Sequence, residues 1–147
     1  MRIWNDHDKD TAYAPVSHIL GELTAAQAGT SVAGMPHSIY QELWHVALWQ
    51  HLILMKDEAA LERWNEESKF PPDSGPASEA VWQELVRSFV TDIEKSQPIA
   101  ADAAILDQPY FAGYTAREAL EGLAVHNAYH LARIVALRQL LELWNPT

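Results

Sequence analysis

Two histidines late in the sequence have the spacing of a metal-binding pair. His126 and His130 are four residues apart, so on a helix they lie about one turn apart on the same face. Leu120, Leu123 and Ile134 continue that face, which predicts that it points into the core. Buried imidazoles need partners for their ring nitrogens, because an unpaired buried polar group is costly. A shared metal ion, as in H-E-x-x-H zinc sites, and a set of hydrogen bonds both satisfy the pair, so the spacing alone leaves both interpretations open.

A third histidine favours the metal. His45 stands midway along the most apolar stretch of the chain, which runs from Leu43 to Met55, and a core histidine there can meet the pair across a helical bundle. Three histidine ligands leave at least one coordination position for water or substrate, as in catalytic zinc sites. His51 is six residues from His45 and about 120° away around a helix, so we expect it outside the site. Surface or loop positions are expected for the remaining histidines, His7, His18 and His37.

Glu42 is the best-placed acid for proton transfer. It precedes His45 by three residues and lies on the same side of a helix, although a surface or capping role is the competing interpretation. The stretch Glu42-Leu43-Trp44-His45 also has the E-x-x-H form of di-iron bundles. Such a site needs a second E-x-x-H and two more inward-facing glutamates. No second E-x-x-H occurs in the chain, so the di-iron interpretation is set aside.

These residues fall on segments with helical periodicity, which proline and glycine separate. Ser38 with Gln41 and Thr115 with Glu118 have the form of capping boxes, which predicts a helix start at each place. Residues 1–14 are interpreted as an extended arm. The predicted helices span about residues 15–28, 38–66, 77–96 and 115–144. Four such helices predict an all-α fold, a four-helix bundle.

Composition limits the class of protein. A chain of 147 residues fits a single domain over residues 1–147. It has no cysteine, which excludes disulfides, thiolate ligands and a thiol nucleophile from the chain itself. The net charge of −10 disfavours nucleic acid and anionic membranes as partners. Without a signal-like or membrane-spanning apolar run, the expected location is the cytoplasm.

The two histidine segments together resemble the DinB-like (DinB/YfiT-like) superfamily of metalloenzymes. The last helix carries His126-Asn127-Ala128-Tyr129-His130, where the family has H-x-x-x-H, and the second helix follows the family's P-H-S pattern at Pro36-His37-Ser38. The resemblance implies a four-helix bundle, commonly dimeric, with zinc or nickel on three histidines. The implied ligands are His45, His126 and His130. Better-understood branches of the family are thiol transferases and isomerases that use low-molecular-weight thiols.

The leading interpretation is therefore a metal-dependent enzyme, a hydrolase or a thiol S-transferase, that activates water or an external thiol toward a small-molecule substrate. The alternative is a non-catalytic, metal-stabilised dimeric stress-response or interaction protein. A helix apolar all round, as the second one is, sits centrally in a bundle or also meets a second subunit, and we expect a homodimer. An apolar substrate pocket is predicted from Trp49, Tyr110, Phe111, Tyr114 and Tyr129.

Overall fold

A computed structural model of the protein describes residues 13–145, and these residues are mostly helical. The elements in chain order are α1 (Val16–Leu20), α2 (Ala25–Ala28), α3 (Ile39–Met55), α4 (Glu58–Glu66), α5 (Glu79–Ala101), β1 (Pro109–Phe111), β2 (Tyr114–Thr115) and α6 (Ala116–Leu140). The predicted all-α class is confirmed, because the strands form only one short antiparallel hairpin. Among the described helices, none combines the length and apolar character that crossing a bilayer requires.

Both predicted capping boxes are present. Ser38 accepts a hydrogen bond from the Gln41 amide while the Gln41 side chain accepts from the Ser38 amide, and α3 starts there. Thr115 and Glu118 make the reciprocal pair at the start of α6. Each box satisfies two amide donors that a helix end otherwise leaves free. The two helices that carry the histidines therefore start where the sequence predicts.

Two predicted helices are broken in the structure. The segment 15–28 forms α1 and α2 separately, with Glu22 between them at a positive φ of 59°. The segment 38–66 stops at Met55, because Lys56 takes the left-handed conformation (φ 54°) and Asp57 then caps α4 with its side chain. Neither break is marked by a proline. The second break turns α4 back over the bundle beside His45.

The remaining differences lie at helix ends. Helix α5 continues past the predicted end at Ser96 to Ala101, with Pro98 in its last turn. Helix α6 ends at Leu140 rather than near Trp144. Except for its last two residues, the predicted N-terminal arm lies outside the described residues, and so does His7.

Helices α3, α5 and α6 pack against one another. Of the two short N-terminal helices, α1 contacts α6, and α2 contacts α3 and α5. Arg138 on α6 holds α1 in place. Its buried guanidinium donates to the carbonyls of His18, Ile19 and Gly21 at the end of α1, and to that of Leu143. The carbonyls at the end of α1 have no amide partner within so short a helix. The guanidinium of Arg138 supplies the hydrogen bonds that further helical turns would otherwise provide.

The apolar core has two clusters that meet along α3 and α6. Leu43 and Val46 of α3 share the first cluster with Leu131 and other residues from the second half of α6. Residues 52–54 of α3 share the second cluster with Leu120 and Leu123, from the first half of α6. The two helices therefore run antiparallel. His126 and His130 lie between the residues of the two clusters along α6, whereas His45 lies among the first-cluster residues of α3, between Leu43 and Val46.

Candidate metal centre

The structure brings the three predicted histidines together between α3 and α6. One ring nitrogen from each of His45, His126 and His130 lies within 4.8 Å of the others. The Nε2 atoms of His45 and His126 are 3.2 Å apart. His45 and His130 are almost fully buried, while His126 is partly exposed. This three-histidine group could hold a divalent metal ion, and it leaves coordination positions that no protein ligand fills among the described residues.

Hydrogen bonds fix the orientation of two of the rings. His45 Nδ1 donates to the carbonyl oxygen of Lys69 at 2.8 Å, and His130 Nδ1 lies 2.6 Å from the Glu42 carboxylate. Neither a carbonyl nor a carboxylate donates a proton, so each Nδ1 carries the hydrogen. A ring that carries its hydrogen on Nδ1 alone presents a bare lone pair on Nε2. Metal-binding histidines characteristically have this arrangement, with a carbonyl or carboxylate on the second ring nitrogen.

The geometry at His126 fits a cation. The bare Nε2 of His45 faces His126 Nε2 at 3.2 Å, and two facing lone pairs at that distance repel unless a proton or a metal ion lies between them. If His126 Nε2 carries the proton, its Nδ1 is left as an acceptor, and that Nδ1 is buried with no hydrogen-bond partner. A divalent ion held by His45 and His126 would remove the repulsion between their Nε2 lone pairs, while His126 Nδ1 would carry a hydrogen that has no acceptor among the described residues.

The surroundings of His45 and His126 favour the neutral form of both rings. Burial lowers the pKa of His45 and outweighs the bond to the Lys69 carbonyl, which raises it. Burial, followed by repulsion from His130 and His45, lowers the pKa of His126 to about 4. Both rings are therefore neutral near pH 7, which is the protonation state that metal coordination requires.

Glu42 lies at the back of the site and is fully buried. One carboxylate oxygen is bonded to His130, and the other lies 3.4 Å from Arg133 Nε and 3.4 Å from His37 Nδ1. Burial alone would raise the pKa of Glu42, but the bond from His130 and the nearby charges of Arg133, His130 and His37 bring it below its ordinary value. The carboxylate is thus neither a surface nor a capping group, and it is placed to orient His130.

An aromatic stack that the sequence does not indicate holds the outer side of His45. The Phe70 ring lies between His37 and His45, stacked on them at centroid distances of 3.6 and 4.4 Å. Trp64 of α4 lies 5.0 Å from His45. His37, expected to be a surface or loop residue, is in a loop but is partly buried in this stack. Of the site residues that the sequence analysis did not select, Arg133 had a position that could have indicated it, because it follows His130 by three residues on α6.

The other described histidines lie outside the centre. His51 bonds Asp92 of α5 through Nδ1 at 2.8 Å and is exposed, as its position around α3 predicts. His18 lies within hydrogen-bond distance of the Asn145 carbonyl at 2.9 Å. Both rings have partners of their own.

A cavity of about 570 Å³ adjoins the centre and reaches His126. Its walls come from α3, α4, the β1–β2 hairpin and α6. Three of the predicted pocket aromatics line it, namely Trp49, Phe111 and Tyr114. The other two do not, because Tyr110 bonds the Leu54 carbonyl through its hydroxyl and Tyr129 is 60% exposed. Sequence reasoning missed Trp64, which lines the cavity from α4.

Comparison with known families agrees with this architecture. The sequence profile of the DinB superfamily matches residues 10–134 of the chain, most of its length. The protein belongs to the DinB superfamily. Neither the curated proteins nor the solved structures contain a significant match to the chain.

Proposed function

We propose that the protein is a metal-dependent enzyme in which His45, His126 and His130 hold one zinc or nickel ion. The ion would activate water or an external low-molecular-weight thiol for attack on a small-molecule substrate. The observation that carries the proposal is the position of the three-histidine cluster beside a large open cavity. A ligand set with free coordination positions next to a cavity is the arrangement of catalytic rather than structural sites.

A bound zinc or nickel ion supplies Lewis acidity, which lowers the pKa of a coordinated water toward about 7 or deprotonates a coordinated thiol. The chain's own residues prepare the site. The Lys69 carbonyl and the Glu42 carboxylate hold the rings of His45 and His130 with Nε2 turned toward the cluster. His126 contributes to the cavity wall, so a substrate in the cavity is adjacent to the ligand set. A thiol must come from outside, because the chain has no cysteine.

The non-catalytic alternative requires a closed site. Structural zinc sites are saturated by four protein ligands. Among the described residues only three metal-binding side chains come together, and Glu42, the nearest carboxylate in sequence, is bonded to His130 instead. The open cavity therefore supports the enzymatic interpretation.

Activity of zinc- and nickel-loaded protein tests the proposal. Two reactions cover the two nucleophiles: hydrolysis of p-nitrophenyl acetate, and conjugation of free thiols with chlorodinitrobenzene. We expect at least one rate to scale with bound metal and to fall to the metal-free level in His126→Ala. The matched control is His51→Ala on α3, whose ring is exposed and outside the cluster. If fully loaded protein is no faster than metal-free protein in both reactions, the non-catalytic alternative is correct.

A further inference from the structure

We propose that the cavity beside the metal centre binds an uncharged, apolar and preferably aromatic part of the substrate. The electrophilic centre of the substrate, joined to that group, would then lie at the inner end of the cavity beside His126. This inference rests on the proposed function for the reaction, but the binding it claims does not need the metal. The two can therefore fail separately.

The lining has the chemistry of an aromatic binding site. Four aromatic side chains line it, from α3, α4 and the hairpin, and the rings of Trp49 and Trp64 are 4.9 Å apart. Aliphatic side chains from α3, α4 and α6 supply much of the remaining surface. Water in such a cavity finds few hydrogen-bond partners, so an apolar group displaces it at little cost. Aromatic walls also favour a planar partner through stacking.

The charges at the cavity disfavour an anionic ligand in the metal-free protein. No lysine or arginine is among its lining residues, and the ionisable ones are Glu118 and His126. The Glu118 carboxylate accepts hydrogen bonds from the amide and hydroxyl of Thr115. Lys69 places its Nζ 5.4 Å from the Trp64 ring but does not line the cavity. In the metal-free protein, a carboxylate or phosphate that entered would lose its water without gaining a cation, which is unfavourable.

Size and access also suit a small molecule. The volume of about 570 Å³ falls in the range of about 300–1,000 Å³ that is usual for ligand pockets. Tyr114 is 57% exposed, and Gly122 is exposed as well, so the cavity opens to solvent. Gly122 lies one turn before His126 on α6, and a Cβ atom added there would have no heavy atom within 4 Å. A larger side chain at residue 122 has room to enter the cavity without displacing the backbone.

Calorimetric titration with a matched pair of probes tests the proposal. Naphthalene-2-methanol is uncharged, and 2-naphthoate has the same ring system with a carboxylate. We expect the alcohol to bind one per chain in both metal-free and zinc-loaded protein. In the metal-free chain it should bind about tenfold tighter than the naphthoate, a difference of about 1.4 kcal/mol. Equal or tighter binding of the naphthoate to metal-free protein would overturn the proposal.

Variants locate the binding. Gly122→Leu should weaken binding of the alcohol about tenfold, whereas Gly122→Ala and Val125→Leu should not, because a methyl group fills little space and Val125 does not line the cavity. If Gly122→Leu misfolds, Trp64→Ala serves instead once its fold is confirmed, since Trp64 is only partly buried where it packs on the second cluster and the loss of one wall should weaken binding. Unchanged affinity in the folded blocking variant overturns the proposal.

Two further results separate the possible failures. Concentration-dependent association that the alcohol or Gly122→Leu abolishes would make a second copy of the chain the occupant and would overturn the proposal. Binding of the alcohol with no metal-dependent activity would contradict the proposed function and leave the cavity assignment standing. Metal-dependent activity without binding of the alcohol would contradict the cavity assignment and leave the proposed function standing.

Discussion

At the scale of single residues, Glu42 shows how a side chain outside the ligand set can determine ligand geometry. Its carboxylate accepts from His130 Nδ1 at 2.6 Å and has no exposure to solvent. The bond fixes both the ring rotation and the tautomer of His130, so Nε2 remains free for metal. A charged acceptor also makes the imidazole a stronger donor toward the ion. We therefore treat Glu42 as a positioning residue of the proposed centre.

Glu42→Gln tests this role. The variant keeps the size of the side chain but removes the charge behind His130, and we expect the metal affinity to fall about 10–100-fold. Competition with a chromophoric chelator measures it, with Glu121→Gln as the control at an exposed carboxylate of α6 outside the cavity lining. Unchanged affinity in Glu42→Gln would show that the carboxylate does not act through His130.

The pKa of His126 predicts how stability depends on pH. Its value is about 4 in the folded protein, against about 6.5 in an unfolded chain. Between these values the unfolded chain binds more protons, so the free energy of unfolding falls as the pH falls from about 6.5 to about 4. Protons also compete with metal for the ligand nitrogens, so metal should leave in the same range.

Urea midpoints of metal-free protein at pH 7.5, 6 and 5 measure this dependence. His126→Asn should show a shallower decrease, because it removes the group with the pKa near 4. The difference in melting temperature between loaded and metal-free protein should also narrow as the pH falls. Midpoints that stay constant from pH 7.5 to 5 in the metal-free wild type contradict the prediction.

At the scale of elements, the starts of α3 and α6 were predictable from the sequence, whereas the break at Lys56 was not. The capping boxes at Ser38 and Thr115 are local patterns, and both helices begin at them. The break at Lys56 has no local signal, because the left-handed conformation of this lysine depends on how the next helix packs. There Asp57 caps α4, and Trp64 packs near His45 and Trp49. Contacts of that kind depend on tertiary structure, which periodicity does not reveal.

The site itself divides in the same way. The side chains of His45, His126 and His130 could be chosen from residue type and spacing, since helical spacing and burial are readable in sequence. Their partners could not: the Lys69 carbonyl is a backbone group, and Phe70 reaches the site from a loop. Neither contact is indicated by a residue pattern in the sequence.

Two glycines allow a matched test of element packing. Gly122 is inside α6 with free space around an added methyl group, so Gly122→Ala should raise the free energy of unfolding by about 1 kcal/mol through helix propensity. At Gly29 the same methyl would lie 2.7 Å from the Gly75 backbone, so Gly29→Ala should destabilise the protein by about 1–3 kcal/mol. Chemical denaturation of the two variants measures both effects. If both substitutions change the free energy of unfolding in the same direction, the packing described around the two glycines is contradicted.

At the scale of the whole molecule, the candidate centre links distant parts of the chain. His45 and His126 are 81 residues apart in sequence, and they face each other between the antiparallel helices α3 and α6. A metal bound there joins α3 to α6, so binding stabilises the folded chain by mass action. The superfamily match covers α3 and continues along α6 to residue 134, so it includes all three histidines.

The predicted homodimer stays a proposal. Helix α3 is apolar around its circumference, but α4, α5 and α6 cover much of it within the chain; Met55 is 42% exposed. Other exposed apolar side chains include Val125 and Tyr129, one turn apart on α6. The mass of one chain is 16.5 kDa, and we expect light scattering at micromolar concentration to give twice that mass. If the face of α6 that carries Val125 and Tyr129 is buried in the dimer, Val125→Asp should lower the measured mass. A wild-type mass equal to one chain contradicts the dimer.

Metal content is the most direct test of the account. Protein purified without an affinity tag and dialysed against zinc or nickel should contain one ion per chain by elemental analysis. Alanine at His45, His126 or His130 should each remove most of it, because two remaining ligands hold a divalent ion poorly, whereas His51→Ala, His37→Ala and His18→Ala should keep it. The competing interpretation, a hydrogen-bonded histidine core, predicts no metal in any variant and a stability loss of about 1–3 kcal/mol where a buried partner is left unpaired. Wild-type protein that remains metal-free after both dialyses would contradict the three-histidine metal centre.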